Sequence, residues 1–542
     1  MINPLPFDPT FLPYPARRYP LIARGGMVNA SSPQAAAAGL MALRAGGNAV
    51  DAAIATATAL TVVEPTANGI GGDAFALVWI EKDRRLYGLN ASGRAPARLD
   101  IAKARAAGAG DSMPVLGWLP TMVPGAPSAW AALSARFGRL PLTRSMAPAI
   151  AYAEDGYPAS PVLSQMWARA AGRYRAMAHG PAFAEWFRAF LPEGRAPQCG
   201  DTVRLPDHAR TLETIAQTRA EAFYRGELAG RILRDSDEFG GFFEEGDLAT
   251  YQPDWVEPLT LDYRGYTVAE IPPNGQGITA LMALNILRNF EFKAREEART
   301  FHLVFEAMKL AFADSKHYVT DPAHMALTAE QLLSPAYGQV RAREITESAA
   351  LPGPGQPHAG GTVYLCTADR EGNMVSYIQS NYMGFGSGIV IRDTGIALQN
   401  RGADFSLNPE DANCLKPGKK SYHTIIPGFL LRDGAAIGPF GVMGGYMQPQ
   451  GHVQVVSNLL DFGLNPQQAL DAPRWQWMRG RDFTVEAGFC PAIAQQLQAR
   501  GHRVDILADS TSFGRGQIIW KMDNGTLMGG TEGRTDSSIA CW

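Results

Sequence analysis

The sequence is poor in several features, and each shortage removes a class of protein. Its 542 residues contain no run of about 18 apolar positions, so no segment is expected to cross a membrane. It has no surplus of basic charge: 49 Lys and Arg stand against 52 Asp and Glu, a net charge of −3. Without a basic stripe to meet a phosphate backbone, nucleic acid is excluded as a partner. Cysteines are few and odd in number (Cys199, Cys366, Cys414, Cys490 and Cys541), and none forms a CxxC pair. That pattern suggests thiols in a reducing compartment rather than a disulfide frame or a zinc site. Among the nine histidines no pair stands at i, i+3 or i, i+4, so no helix-borne metal site is expected, and no cofactor. The phosphate loop GxxxxGK[ST], the nucleophile elbow GxSxG and the zinc motif HExxH are all missing. "GIGGDA", Gly69 to Ala74, matches GxGxx[G/A] on paper. A helical pattern precedes it and a strand pattern follows, the reverse of the order a dinucleotide site needs. The N-terminus, "MINPLPFDPTFLPYPARRYP", is Pro-rich and has no apolar core behind a basic start. It does not read as a secretory signal, which makes the cytoplasm the default location.

What remains is ordinary globular material, 46% hydrophobic and 19% charged, with enough length for a large core. "SPQAAAAGLMALRAGGNAVDAAIATATALTVVEP" reads as two Ala-rich helices broken at Gly46-Gly47 and closed by Pro65. "DAFALVWIEKDRRLYGLNASG" reads as a hairpin, and "ARTFHLVFEAMKLAFADSKHYV" as an amphipathic helix. A strand pair is expected at "LTLDYRGYTVAEIPP". After residue 361 strands predominate: "TVYLCTAD", "MVSYIQS", "GIVIRDTGIALQ", "HTIIPGFLLRDGAAIGPFG" and "GQIIWKMDNGTLMGG". "GHVQVVSNLLDFG" and "PAIAQQLQARG" interrupt them as helices. The chain divides into a helix-rich part, 1–361, whose flexible linker spans 346–361, and a strand-rich part, 362–542. Strand patterns in both parts argue for one intertwined α+β domain with a shared sheet system.

The boundary carries the chemistry. "TESAALPGPGQPHAGG" can hold neither helix nor ladder, yet Thr362 follows it at once and opens a period-two strand. The turn "DREGN" lies between two alternating runs, and pairing symmetric about Glu371 puts Thr362 opposite Ser380. Opposed residues bring Cβ atoms about 5 Å apart, within hydroxyl reach. Taken alone, the pair reads as ordinary cross-strand contact. The sharper reading is a threonine that becomes a chain N-terminus after a cut between Gly361 and Thr362. A hydroxyl needs a base to act as a nucleophile, and a free α-amine on the same residue, with pKa about 7.7–8.0, can be that base.

Several stretches together resemble the γ-glutamyltransferase (γ-glutamyltranspeptidase) family of N-terminal-nucleophile hydrolases. They include "GGNAVDAAIATATALTVVEPTANGIGGDAFALV", "VPGAPSAWAAL", "PPNGQGITALMALNIL", "HLVFEAMKLAFADSKHYVTDP", "DREGNMVSYIQS", "GFGSGIV" and "GVMGGYMQPQGHVQVV". The resemblance runs from about residue 25 to the C-terminus. It implies a four-layer αββα sandwich and a precursor that cuts itself into a large and a small chain. The new N-terminal threonine would be Thr362 and the hydroxyl residue beside it Ser380. The oxyanion glycines would be Gly444 and Gly445, and the carboxylate that holds the substrate amine Asp404. A homodimer of such two-chain units stays open.

Around that machinery the family pattern is altered. The arginine that clamps the γ-glutamyl carboxylate is replaced by Ser92 in "NASGRAP", with Arg94 two residues on as a candidate substitute. Tyr382 stands where asparagine is expected, His423 and Thr424 where the family has Ser-Ser, and Arg401 where Gln or Glu is usual. Arg94 and Arg401 are the expected carboxylate anchors, since an Arg fork suits a carboxylate. The expected activity is an autoprocessed threonine amidohydrolase or acyltransferase acting on a small carboxylate-bearing amide. The alternatives are the oxamate amidohydrolase or glutaryl-cephalosporin acylase type, and an unprocessed ligand-binding protein.

Overall fold

The Gly46-Gly47 break divides the Ala-rich stretch as its spacing predicts, into helices Pro33–Arg44 and Ala49–Val63. The structure, a computed structural model, describes residues 18–351 and 361–542. The Pro-rich N-terminus up to residue 17 and the middle of the expected linker, 352–360, lie outside the described residues. Asn48 caps the second helix, its side chain accepting the N–H groups of Val50 and Asp51. The Asp51 carboxylate accepts the N–H of Asn48 in return, which satisfies donors that a helix start leaves open. All fifteen residues of this helix are buried, because it is enclosed between a sheet and the helices Pro33–Arg44 and Leu142–Asp155.

That sheet is one of two, each of seven strands. Its centre is the hairpin Gly361–Asp369 and Met374–Tyr382. On one side lie Gly26–Ala30 and then the edge strand Ser538–Cys541; on the other lie Asp73–Ile80, Arg85–Ala91 and Asp254–Val256. The second sheet runs Leu21–Ala23, Leu527–Thr531, Arg515–Lys521, Ala435–Met443, Gly428–Arg432, Tyr266–Glu270 and Leu259–Tyr263. Every pairing within both sheets is antiparallel.

The sheets meet through fitted contacts. A Cβ at Gly441 would lie 2.4 Å from the Tyr364 ring, so only glycine lets that tyrosine fill the gap. Asn29 Nδ2 donates across to the carbonyls of Ile518 and Gly530, at 2.9 and 3.0 Å. Helices Gly277–Leu287 and Met447–Leu460 cover the second sheet, with Ala298–Tyr318 packed behind them. The architecture is therefore the α+β, four-layer αββα sandwich.

The reading of local pattern differs from this in three places. "HTIIP" is not strand: the strand starts at Gly428, just past Pro427, which has no N–H to give a ladder. The edge strands Leu21–Ala23 and Ser538–Cys541 are too short to show a period. A three-stranded sheet, Trp475–Arg479, Asp482–Glu486 and Arg503–Leu507, also escaped notice. Its last pair is parallel and is joined through the helix Pro491–Ala499, so no hairpin signal marks it.

Candidate active site

The central hairpin pairs Val363 with Gln379 through Ala368 with Met374, the register symmetric about Glu371. It slips by one at its open end, where Gly361 faces Tyr382. Thr362 sits at that irregularity, buried, and its Oγ1 donates to Ser380 Oγ at 3.2 Å. Ser380 Oγ also accepts the Tyr382 N–H at 2.8 Å. Gln448 Nε2 approaches Thr362 Oγ1 at 3.4 Å, and Gln448 Oε1 is itself fixed by the Ile426 N–H at 2.9 Å. Two side chains therefore hold the Thr362 hydroxyl in one orientation. Gln448 was missed in the sequence; a glutamine in the first turn of a helix carries no signal of its own.

Gly444 and Gly445 join the strand Ala435–Met443 to the helix Met447–Leu460, with φ of 136° and 62°. Two successive positive φ values need glycine. The carbonyl of Gly445 is held by Gln276 Nε2 at 2.9 Å, while among the described residues the N–H groups of this pair have no acceptor. Donors left open at a helix start suit an oxygen that becomes negative in a reaction. A cavity of about 340 Å³ has Thr362 and Gly444 in its wall.

Asp404 lies in a tight polar cluster. Its Oδ1 accepts the hydroxyls of Tyr382, at 2.8 Å, and Tyr446, at 3.0 Å. The Arg401 guanidinium stacks 4.0 Å from the centre of the Tyr382 ring and lies 3.6 Å from Asp404 Oδ2. Thr424 Oγ1 receives Arg401 Nη1 at 2.7 Å, which gives Thr424 the task of aiming the arginine. Arg401 is 1% exposed, yet its Nε and Nη2 have no hydrogen-bond partner among the described residues. Lys316 closes the cluster: its ammonium touches the Tyr446 hydroxyl and lies 4.2 Å from the Tyr422 ring centre. Burial pushes Lys316 down to about 8 against the opposing pull of Asp404.

The remaining candidates fall elsewhere. His423 is buried against Asp73, its Nε2 donating to Oδ2 at 3.0 Å while Nδ1 accepts the Ile425 N–H at 3.3 Å. This network assigns a neutral ring. Burial lowers the His423 pKa well below the usual range and raises Asp73 to about 7. Asp73 pairs with Ser380 across neighbouring strands, so His423 supports the site from behind. Ser92 is buried and donates to Asn90 Oδ1 at 2.7 Å. Arg94 stands apart from the Asp404 cluster. It is half exposed, 3.4 Å from Asp321 and 3.2 Å from the Gly418 carbonyl, and it does not line the cavity at Thr362. The extended geometry that would have kept Ser92 and Arg94 on one face ends at Ala91, and the Gly93 N–H turns to Asp73 Oδ1.

One cluster of metal-ligand type escaped the histidine spacing rule, because its members come from distant segments. His302, Glu306 and His502 bring their ligand atoms within 4.8 Å of one another. His302 Nδ1 and His502 Nε2 share a 2.8 Å hydrogen bond, and Lys309 Nζ lies 2.5 Å from Glu306 Oε1. Glu306 is thus already paired with an ammonium and the two histidines with each other.

The family model described as gamma-glutamyltranspeptidase matches residues 35–542. The chain belongs to the γ-glutamyltranspeptidase family. It is therefore an N-terminal-nucleophile amide hydrolase of γ-glutamyltransferase type. It is 35% identical to the glutathione hydrolase-like YwrD proenzyme of Bacillus subtilis, over 93% of this chain and 96% of that one. It is also 35% identical to the oxamate amidohydrolase proenzyme of Klebsiella pneumoniae, over 96% and 99% of the two chains. Among solved structures, a cephalosporin acylase from Bacillus halodurans superposes with a TM-score of 0.96 at 56% identity, covering 99% of each chain. These similar proteins are named for different substrates, so membership alone leaves the substrate open.

Proposed function

We propose that this family member cleaves amides whose acyl part is a small dicarboxylic acid without an α-amino group. The observation that carries the reading is the state of Asp404. Both Tyr382 and Tyr446 donate to its Oδ1, and Arg401 faces Oδ2. A substrate ammonium would have to enter beside a buried guanidinium, which costs more than the new contact returns. The two unpartnered donors of Arg401 suit a carboxylate instead, through charge-assisted bonds.

In this reading Thr362 Oγ first attacks the Gly361 carbonyl, the amide becomes an ester, and water frees a large and a small chain. The Thr362 α-amine then removes the proton from Oγ as it attacks the substrate carbonyl. The N–H groups of Gly444 and Gly445 hold the oxyanion, while Ser380 and Gln448 aim the hydroxyl. The amine leaves with the proton, and water hydrolyses the acyl-threonine ester to the free acid.

The test is a panel of glutaryl, oxalyl and γ-glutamyl anilides, run with Arg401→Gln and Asp404→Asn. Glutaryl or oxalyl anilides should be preferred, and Arg401→Gln should lower their kcat/KM by on the order of 100-fold. If γ-glutamyl anilide is turned over best and Asp404→Asn selectively abolishes that, the acyl assignment is wrong. A denaturing gel checks processing: the small fragment should begin Thr-Val-Tyr-Leu-Cys, and Thr362→Ala should stay one chain.

A further inference from the structure

A linker destined only to be cut and cleared away needs no grip, yet the base of this one is held from within. Residues 346–350 belong to no helix or strand, and Thr346, Glu347 and Ser348 are exposed. Their backbone is nevertheless bonded along its length. Lys309 Nζ donates to the Ala350 carbonyl at 2.7 Å, and Glu306 Oε2 accepts the Ala350 N–H at 3.2 Å. His302 Nε2 donates to the Thr346 carbonyl at 2.7 Å, which leaves its Nδ1 to accept from His502 Nε2. From the other side the Arg500 carbonyl accepts the Ala349 N–H at 2.7 Å. Arg500 Nη1 donates to the Glu347 carbonyl at 3.0 Å and to its carboxylate at 2.6 Å.

The parts of this grip are costly to place. His302, Glu306 and Lys309 stand four and three positions apart on the helix Ala298–Tyr318, so they share one face, and each is at most 2% exposed. Taking an ion pair out of water is expensive unless its remaining bonds are well made. Here Glu306 and Lys309 direct those bonds to the two backbone groups of one residue, Ala350. Arg500 and His502 lie between the helix Pro491–Ala499 and the strand Arg503–Leu507, on the other product of the proposed cut. The base of the linker is thus sandwiched between both products.

Eleven residues, 351–361, separate the grip from Thr362. Without it the fixed point would fall back to the end of the helix Pro335–Ala342, and the stretch between fixed points would grow to nineteen residues. Loop-closure statistics then disfavour any one placement of the far end by about twofold, and lost direction at the base adds to that. We propose that His302, Glu306, Lys309, Arg500 and His502 form a clamp that holds the base of the linker for the cut between Gly361 and Thr362. They act as positioning residues for processing and take no part in later turnover. The clamp has this purpose only if the cut proposed above occurs.

The double change Glu306→Leu with Lys309→Met tests it, because both charges go together and no lone ion is left buried. Arg500→Gln loosens the opposite side from a position that is only partly buried. Followed on denaturing gels after cell-free synthesis, each variant should convert to two chains two- to fivefold more slowly than wild type. Once converted, each should match wild type within twofold in kcat/KM on the preferred anilide, a split that general destabilisation would not give. Amide exchange on the uncut Thr362→Ala protein reads the grip itself: peptides covering 346–350 should lose protection when the double change is added. Unchanged conversion, equal losses in conversion and kcat/KM, or unchanged exchange would each overturn the proposal. A wild-type chain that never divides would instead reject the processing reading, and with it the purpose of the clamp.

Discussion

Ser380 touches the Thr362 hydroxyl and the Tyr382 N–H, and so ties the proposed nucleophile to the acyl cluster. We expect Ser380→Ala to fold and to slow processing or turnover by on the order of 10-fold, as loss of one aligning hydrogen bond would. Conversion of precursor to two bands and steady-state rates both read this out; if neither changes, the hydroxyl is idle. This contact was legible from counting alone: the turn fixes the register from Ala368 with Met374 to Val363 with Gln379, and the slip beyond still leaves Thr362 within hydroxyl reach of Ser380. Gln448 and Tyr446 were not legible, since their partners Thr362 and Asp404 lie 86 and 42 positions away. Arg94 lies apart from the cluster for a local reason: the i, i+2 rule holds only while the backbone stays extended, and here the strand stops at Ala91.

At the scale of elements, the glycine pair between strand and helix is the most demanding feature. Gly445 has φ of 62°, a region where an L side chain costs about 1–2 kcal/mol. Its neighbour Gly444 is held against Gly514, whose Cα would lie 3.1 Å from an added Cβ. We expect Gly445→Ala to lower kcat by roughly 100-fold through displaced oxyanion donors, with only a few degrees lost in thermal midpoint. A kcat within twofold of wild type would remove this pair from the chemistry. Repetitive local patterns made most of the elements readable, from the alanine run of Ala49–Val63 to the alternation after Thr362. The pairing of Asp482–Glu486 with Arg503–Leu507 was hidden because parallel pairing depends on tertiary contact rather than on a turn.

At the scale of the whole molecule, buried carboxylates tie stability to pH. Glu64 follows the helix Ala49–Val63 and takes a hydrogen bond from Ser31 Oγ, with Arg515 and Asp536 as its charged neighbours. Burial keeps it protonated up to about pH 7, whereas an unfolded glutamate gives up its proton near 4.5. Between those values the folded state binds the extra proton, so this group's contribution falls as pH rises through the window. The loss above pH 7 is on the order of 3 kcal/mol. We expect Glu64→Gln, which can still bond Ser31, to lose less stability than wild type between pH 5 and 8. Parallel denaturant midpoints measured on both proteins would show it, and identical pH slopes would contradict it.

The strand Gly361–Asp369 lies between Gly26–Ala30 and Met374–Tyr382, and Ser538–Cys541 closes the far side of Gly26–Ala30. The proposed cut would thus leave segments of both products laced through one sheet. Folding and covalent continuity then part company. An uncut Thr362→Ala chain regains its structure by a first-order process, indifferent to dilution. The nicked molecule, once melted, releases two strangers that must meet again, so recovery slows in proportion to dilution. The same scission that would create the catalytic amine would also make assembly a single historical event, which a dilute solution cannot readily repeat.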